Sequence, residues 1–186
     1  VTATGEDFWV FAYGSLMWRP GFVYVEARSA LLRGYHREFC VYSHRHRGTP
    51  ERPGLVLGLD RGGCCRGLAF RVAAAEVEAV VRYLAEREMV TNAYEPRTLP
   101  AETEAGRIPV YAFVVRRDHR QYAGKLPVAD AAALITRGEG LSGLNRDYLI
   151  NTVRRLESLG FADRRLHALL AEVKRMTGEI ERGSGI

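Results

Sequence analysis

Lysine is nearly absent from this chain. Of 27 basic residues only Lys125 and Lys174 are lysines; arginines make up the rest, spread along the chain and interleaved with acids. The net charge of +5 and pI of about 9.3 therefore describe a diffuse, solvated basic surface. Neither nucleic acid nor a membrane is the expected partner, and a mild positive field suits a small anionic substrate. Cysteine is scarce too: Cys40, Cys64 and Cys65 are odd in number and contain no C-x-x-C. Cys64 and Cys65 point to opposite faces if they lie on a strand, so a structural zinc site or a disulfide framework is not expected, and a reducing compartment is. No apolar run reaches the length of a membrane-spanning helix. The opening residues VTATGEDFWVF lack the basic, apolar and small-residue succession of a secretion signal, which reads as a cytoplasmic protein. G-x-G-x-x-G and Walker A motifs are missing, so no nucleotide cofactor is expected. G-x-S-x-G is missing as well, since Met17 stands where its second glycine belongs, which argues against Ser15 as a nucleophile. His44 and His46 are two apart with no third donor at suitable spacing, so no metal is expected.

What is present divides into two styles of sequence. Phe8 to Tyr13 (FWVFAY) is aromatic and β-branched and reads as a strand stopped by Gly14. Ala30 to Ser43 reads as extended, with a break at Gly34. Leu55 to Asp60 and Cys65 to Val72 flank Arg61-Gly62-Gly63-Cys64, a hairpin-turn pattern. Val110 to Val115 is a further strand, and Thr98 lies in an extended segment between Pro96 and Pro100. Helical spacing appears in Ala74 to Glu88 through Val77, Val80, Val81 and Leu84. It recurs in Asp130 to Thr136, in Asn145 to Leu159 and in Asp163 to Ile180. Strands crowd the first half and helices the second, which predicts an α+β fold in a single domain spanning residues 1–186.

One acidic residue stands out. Eleven steps of 100° bring Glu88 to about 20° from Val77, on the apolar stripe beside Val81 and Leu84 and near the helix C-terminus. Glu86 falls on the opposite face. Burial and the negative end of the helix dipole both disfavour an ionised Glu88, so its pKa is expected to rise, as suits a proton shuttle. The structural alternative is that the helix stops short of Glu88, or that Arg87 or another base pairs with it.

The first strand runs into Ala12-Tyr13-Gly14-Ser15-Leu16-Met17. A turn at a strand end aims backbone N–H groups into a pocket, where they bind carboxylates or an oxyanion, and Ser15 adds a hydroxyl. Alone, a glycine after a strand is usually only a turn.

Together these segments resemble the ChaC-like γ-glutamylcyclotransferases. FWVFAYGSLMW is similar to the family's first strand and YGSL substrate loop. RHRGTPERPG (Arg45 to Gly54) resembles its H-R-G-x-P-x-x-P-G segment, and CRGLAFRV (Cys65 to Val72) the strand that follows. YLAERE (Tyr83 to Glu88) resembles the segment bearing the catalytic glutamate, and NRDYL (Asn145 to Leu149) a late motif with a pocket tyrosine. The order holds from about Phe8 to Leu170. The resemblance implies a small barrel-like mixed sheet with packed helices. It implies cofactor-free cleavage of glutathione to 5-oxoproline and cysteinylglycine, with Glu88 as catalytic base. It also implies substrate contacts from Ala12, Tyr13, Gly14, Ser15, Leu16, Met17 and Tyr148.

One departure bears on selectivity. Met89-Val90-Thr91-Asn92-Ala93 separates Glu88 from Tyr94, where some members have a shorter turn containing glycine. Arg47 is expected either to meet a substrate carboxylate or to brace its own loop. Three other readings compete: the same chemistry on another γ-glutamyl amine or dipeptide, a nucleic-acid module using Arg45 to Arg52, and an inactive binder that keeps the pocket.

Overall fold

The structure is a computed structural model that describes residues 8–178. The reading of residues 1–7 as lacking a secretion signal, and the last residues of the helix read to Ile180, lie outside the described residues. The chain forms two compact units. The first runs to Glu38 and resumes at Leu57–Tyr122; the second takes Phe39–Val56 and the chain from Ala123 onward.

Five strands close a barrel in the order β1-β3-β2-β4-β5. They are β1 (Phe8–Ala12), β2 (Glu26–Ser43), β3 (Gly54–Val72), β4 (Tyr94–Thr103) and β5 (Gly106–Val115). β1 is apolar throughout because Trp9, Val10, Phe11 and Ala12 are all buried, so both of its faces are covered. It pairs antiparallel with β3, from Phe8 opposite Val72 to Ala12 opposite Leu68. It pairs parallel with β5 at Val10 and Tyr111. β5 in turn pairs antiparallel with β4 from Val115 opposite Tyr94. These registers bring the C-terminal ends of β1 and β5 and the start of β4 to one end of the barrel.

Two expected interruptions are not breaks. Arg61 to Cys64 stays inside β3 and does not reverse the chain. Gly62 and Gly63 take φ of 100° and 68°, which coils a long strand around the barrel as a bulge does. Gly34 likewise sits inside β2. Thr98 is extended as expected, within a β4 that tolerates Pro96 and Pro100 opposite Phe113 and Pro109.

After β3, a 3₁₀ turn at Ala74–Glu76 leads into α1 (Val77–Glu88), so the α-helix proper starts three residues later than the apolar spacing implies. Val80 and Leu84 are its buried residues. The core of this first unit contains Phe11, Leu32, Leu59, Phe70 and Leu84.

In the second unit, α2 (Val128–Arg137), α3 (Asn145–Ser158) and α4 (Arg164–Thr177) pack on one another, with the two-residue strands β6 (Glu139–Gly140) and β7 (Gly143–Leu144) between α2 and α3. Asp163 caps α4, its carboxylate accepting from the Leu166 N–H at 3.1 Å. The helix stops at Thr177, before a left-handed Gly178. Ile135, Leu149, Leu156, Leu166 and Val173 fill this core. Asn145, at 0 % exposure, takes part in it as a polar member. Its amide accepts from the Leu55 N–H at 2.7 Å and donates to the Leu55 carbonyl at 2.8 Å. Among the described residues no helix is long and apolar enough to cross a membrane.

Candidate active site

The turn after β1 is built to stay in one place. Ser15–Met17 form a single 3₁₀ turn with Leu16 and Met17 buried. The Met17 N–H donates to the Gly14 carbonyl at 2.9 Å, and the Arg19 N–H to the Ser15 carbonyl at 2.8 Å. Ser15 and Leu16 stand at the open N-terminal end of the turn, where no earlier turn carbonyl can accept their N–H groups. Of the residues expected to present donors, these two do so by geometry, whereas the Met17 N–H is already engaged. Ala12 is fully buried in the barrel wall. Tyr13 is buried too, and its hydroxyl donates to the Phe113 carbonyl at 3.1 Å.

Two arginines grip this turn from different elements. Arg37 of β2, only 6 % exposed, donates through Nε to the Tyr13 carbonyl at 2.5 Å and through Nη2 to the Arg66 carbonyl at 2.8 Å. Arg87 of α1 donates through Nη2 to Ser15 Oγ at 2.9 Å and through Nη1 to the Arg19 carbonyl at 2.9 Å. Neither contact was among the sequence expectations, although both arginines carried a signal. Arg37 is in period-two register with the buried Phe39 and Val41. Arg87 lies about 20° from Val80 on the helical wheel.

Glu88 is the last residue of α1. It falls about 40° from the buried Leu84 on the wheel, and its side chain keeps 21 % exposure. Arg87 Nε lies 3.2 Å from Glu88 Oε1. Both the inward reading and the Arg87 pairing therefore hold. Desolvation by the surrounding protein raises the Glu88 pKa, and the charge and hydrogen bond of Arg87 offset only part of that rise. A carboxyl that is enclosed by protein yet still reachable from solvent can exchange a proton with a ligand.

The segment after Glu88 folds as a turn in which the Asn92 N–H donates to the Met89 carbonyl at 3.2 Å. Asn92 has a φ of 55°, in the left-handed region that asparagine tolerates better than most residues. Met89 and Asn92 line a cavity of about 480 Å³ together with Tyr94, Arg61, Arg97 and Arg117. Glu88 and the Tyr13–Met17 turn are not among its lining residues. The raised carboxyl and the donor turn, not this cavity, mark the candidate chemistry.

Tyr148 belongs to the second unit. It is buried in α3, its ring edge-on to Phe39 at 5.8 Å, with the Arg47 guanidinium 5.4 Å from its centre. Arg47 also donates to the Leu144 carbonyl at 3.0 Å, and its N–H donates to Ser43 Oγ at 3.0 Å, so it braces its loop. His44 stacks on Tyr42, and His46 pairs with Ser142 at 3.0 Å. Among the described residues no three metal-ligating side chains cluster.

A mixed barrel thus carries a partly buried, raised carboxyl tied through Arg87 to a turn with free-facing donors, the parts that general acid–base chemistry requires. The chain belongs to the ChaC-like family, whose model, described as ChaC-like protein, matches residues 8–176. It is 34 % identical over 172 residues to the glutathione-specific γ-glutamylcyclotransferase of Escherichia coli, covering 92 % of this chain and 74 % of that protein. It is 33 % identical over 183 residues to γ-glutamylcyclotransferase 2-3 of Arabidopsis thaliana, covering 93 % and 92 %. In fold it matches the crystal structure of a yeast γ-glutamylcyclotransferase specific to glutathione with a TM-score of 0.86 at 21 % identity, over 95 % of this chain and all of that one.

Proposed function

We propose that the chain, acting as one domain, is a glutathione-specific γ-glutamylcyclotransferase with Glu88 as its acid–base residue. The observation that carries this is the Glu88 carboxyl, raised by burial and joined through Arg87 to Ser15 of the YGSL turn. Relatives of that named activity in bacteria and animals, each more than 30 % identical, support the substrate.

The reaction is an internal acyl transfer. The α-amino nitrogen of the γ-glutamyl group attacks its own γ-carbonyl carbon and closes a five-membered ring. Tethering supplies much of the rate, since well-oriented intramolecular reactions reach effective molarities of about 10⁵–10⁸ M. The amine is largely protonated near neutrality, with an ordinary pKa of about 8, so Glu88 first removes its proton. The tetrahedral oxyanion then forms, stabilised by donors such as the Ser15 and Leu16 N–H groups. Collapse breaks the amide C–N bond while Glu88 gives its proton to the departing nitrogen. The ring nitrogen gives up its second proton to the freed carboxylate and becomes the lactam N–H. That proton leaves with the released amine as its ammonium, so Glu88 ends ionised as it began. The products are 5-oxoproline and cysteinylglycine. Water is not consumed and no cofactor takes part, so the enzyme is formally a lyase.

The turn from Ala12 to Met17 cradles the γ-glutamyl group, and the family resemblance assigns Tyr148 a hydrogen bond to the substrate. A reducing cytoplasmic setting accords with three cysteines that are all thiols, Cys64 among them at the surface. A panel of glutathione, γ-glutamyl dipeptides and γ-glutamylamines, followed by product analysis, tests the substrate. Glutathione is expected to give 5-oxoproline faster than the others. Preference for another γ-glutamyl compound would keep the chemistry and overturn the specificity.

A further inference from the structure

We infer that Arg87 is a positioning residue for this reaction, fixing the Glu88 carboxyl relative to the YGSL turn. The inference rests on the functional reading above.

The guanidinium makes contacts to three elements at once. Beyond Glu88 and Ser15, its Nη1 donates to the Arg19 carbonyl and to Tyr83 Oη, each at 2.9 Å. Tyr83 is one helical turn back on α1, so the phenol stands beside Arg87 by helix geometry. The segment after Trp18 must then lie close over Tyr83. Gly21 permits this: its φ is 76°, and a Cβ there would run into the Tyr83 phenol. Phe22 packs edge-on against the same ring at 6.4 Å. Arg87 is the joint at which this segment, the turn and the base meet. A planar fork of five donors can serve these divergent acceptors together, and a lysine ammonium on a flexible stem cannot.

Position and charge act together here. Glu88 ends its helix, where no following turn restrains its side chain. Arg87 supplies the restraint and also favours the ionised form against burial. The groups in contact with Arg87 beside Glu88 are the Tyr83 phenol from α1 and Ser15 Oγ and the Arg19 carbonyl from the turn segment, and none of these is charged. Among the described residues Arg87 is the charged group whose removal changes the Glu88 carboxyl most directly. Its loss would let the carboxyl rise further and swing away from the turn.

The test compares wild type with Arg87→Gln and Arg87→Lys. It measures kcat and KM for glutathione across pH, and titrates the Glu88 carboxyl by ¹³C NMR, assigned through its absence in Glu88→Gln. Arg87→Gln is expected to lose kcat about 10–100-fold, the scale of a small misplacement of the reacting groups, with KM changed less than about twofold. The acid limb of kcat/KM and the NMR midpoint should both move to higher pH. Arg87→Lys should restore most of the midpoint and little of kcat, because it keeps the charge and loses the fork. An Arg87→Gln protein with wild-type melting temperature, kcat and acid limb would overturn the inference. If that variant does not fold, Arg87→Lys decides: a kcat equal to wild type overturns it. A wild-type chain that cyclises no γ-glutamyl compound fails the functional reading, and the NMR midpoint then judges the Arg87–Glu88 tie separately. A midpoint unmoved by Arg87→Gln sinks that tie.

Discussion

Arg37 Nε donates to the Tyr13 carbonyl at 2.5 Å across 24 residues of chain. A buried guanidinium on a barrel strand thus fixes the entry to the Tyr13–Met17 turn. Its second bond, to the Arg66 carbonyl, ties the same point to β3. Replacing it with methionine keeps the apolar stem and removes the donors to the buried Tyr13 carbonyl and the part-buried Arg66 carbonyl, at a cost of about 1–3 kcal/mol. Arg37→Met is expected to melt lower and to raise KM for glutathione, because the turn loses its anchor. Chemical denaturation and steady-state kinetics check the two effects.

Asp60, almost fully buried at the same barrel end, accepts from Arg117 at 2.7 Å, Tyr122 at 2.8 Å and the Arg61 N–H at 2.8 Å. Burial alone would raise its pKa, but these hydrogen bonds and the Arg117 charge outweigh it and hold the carboxyl below its usual value. A depressed folded-state pKa contributes stability above the unfolded value, and that stability disappears as pH falls through the folded one. Asp60→Asn should destabilise by about 2–3 kcal/mol at neutral pH, less than a fully buried pair because Arg117 is half exposed. The difference from wild type should shrink in acid, as measured by denaturation at a series of pH values.

Asn145 completes strand-like pairing with both backbone groups of Leu55. Asn145→Ala would orphan a buried N–H and a buried carbonyl. A loss of about 2–4 kcal/mol is expected from the two unmet groups. Asn145→Asp should also be harmful, since a carboxylate can accept from the Leu55 N–H but cannot donate to its carbonyl. Thermal unfolding of both variants distinguishes this from simple loss of volume.

Glu88 runs in the opposite sense to Asp60. Its folded-state pKa is raised, chiefly by desolvation, so its favourable contribution is present below the unfolded pKa and is lost as pH rises through the folded one. At neutral pH the ionised carboxyl therefore burdens the fold. Glu88→Gln should melt higher than wild type near neutrality, with the gap closing as pH is lowered. Scanning calorimetry across that range reads the sign directly.

Much of this was legible from residue order. The period-3.6 spacing of Val77, Val80, Val81 and Leu84 located α1 and turned Glu88 inward, because helical geometry is local. The helix read from Asp163 to Ile180 begins where expected but ends at Thr177, because the apolar spacing carries past Gly178 while the left-handed glycine stops the helix. Arg61 to Cys64 misled because two glycines suit a tight turn and a strand bulge alike, and only pairing across the barrel decides between them. Most of β4 escaped notice since Pro96 and Pro100 weaken the strand pattern that β5 imposes on it. Arg37, and the contacts of Arg87 beyond Glu88, are not legible for a different reason. A charged residue among buried positions has meaning only when its acceptors are known, and those are backbone carbonyls and a hydroxyl brought in from distant segments.

The most direct measurement follows 5-oxoproline and cysteinylglycine from reduced glutathione with wild type and Glu88→Gln in parallel. Glutamine keeps the shape of the side chain and cannot shuttle a proton. Wild type should release both products in equal amounts, and the variant should be slower by about 10²–10⁴-fold, the usual worth of a positioned acid–base group. Equal rates in a folded variant would contradict the assignment of Glu88.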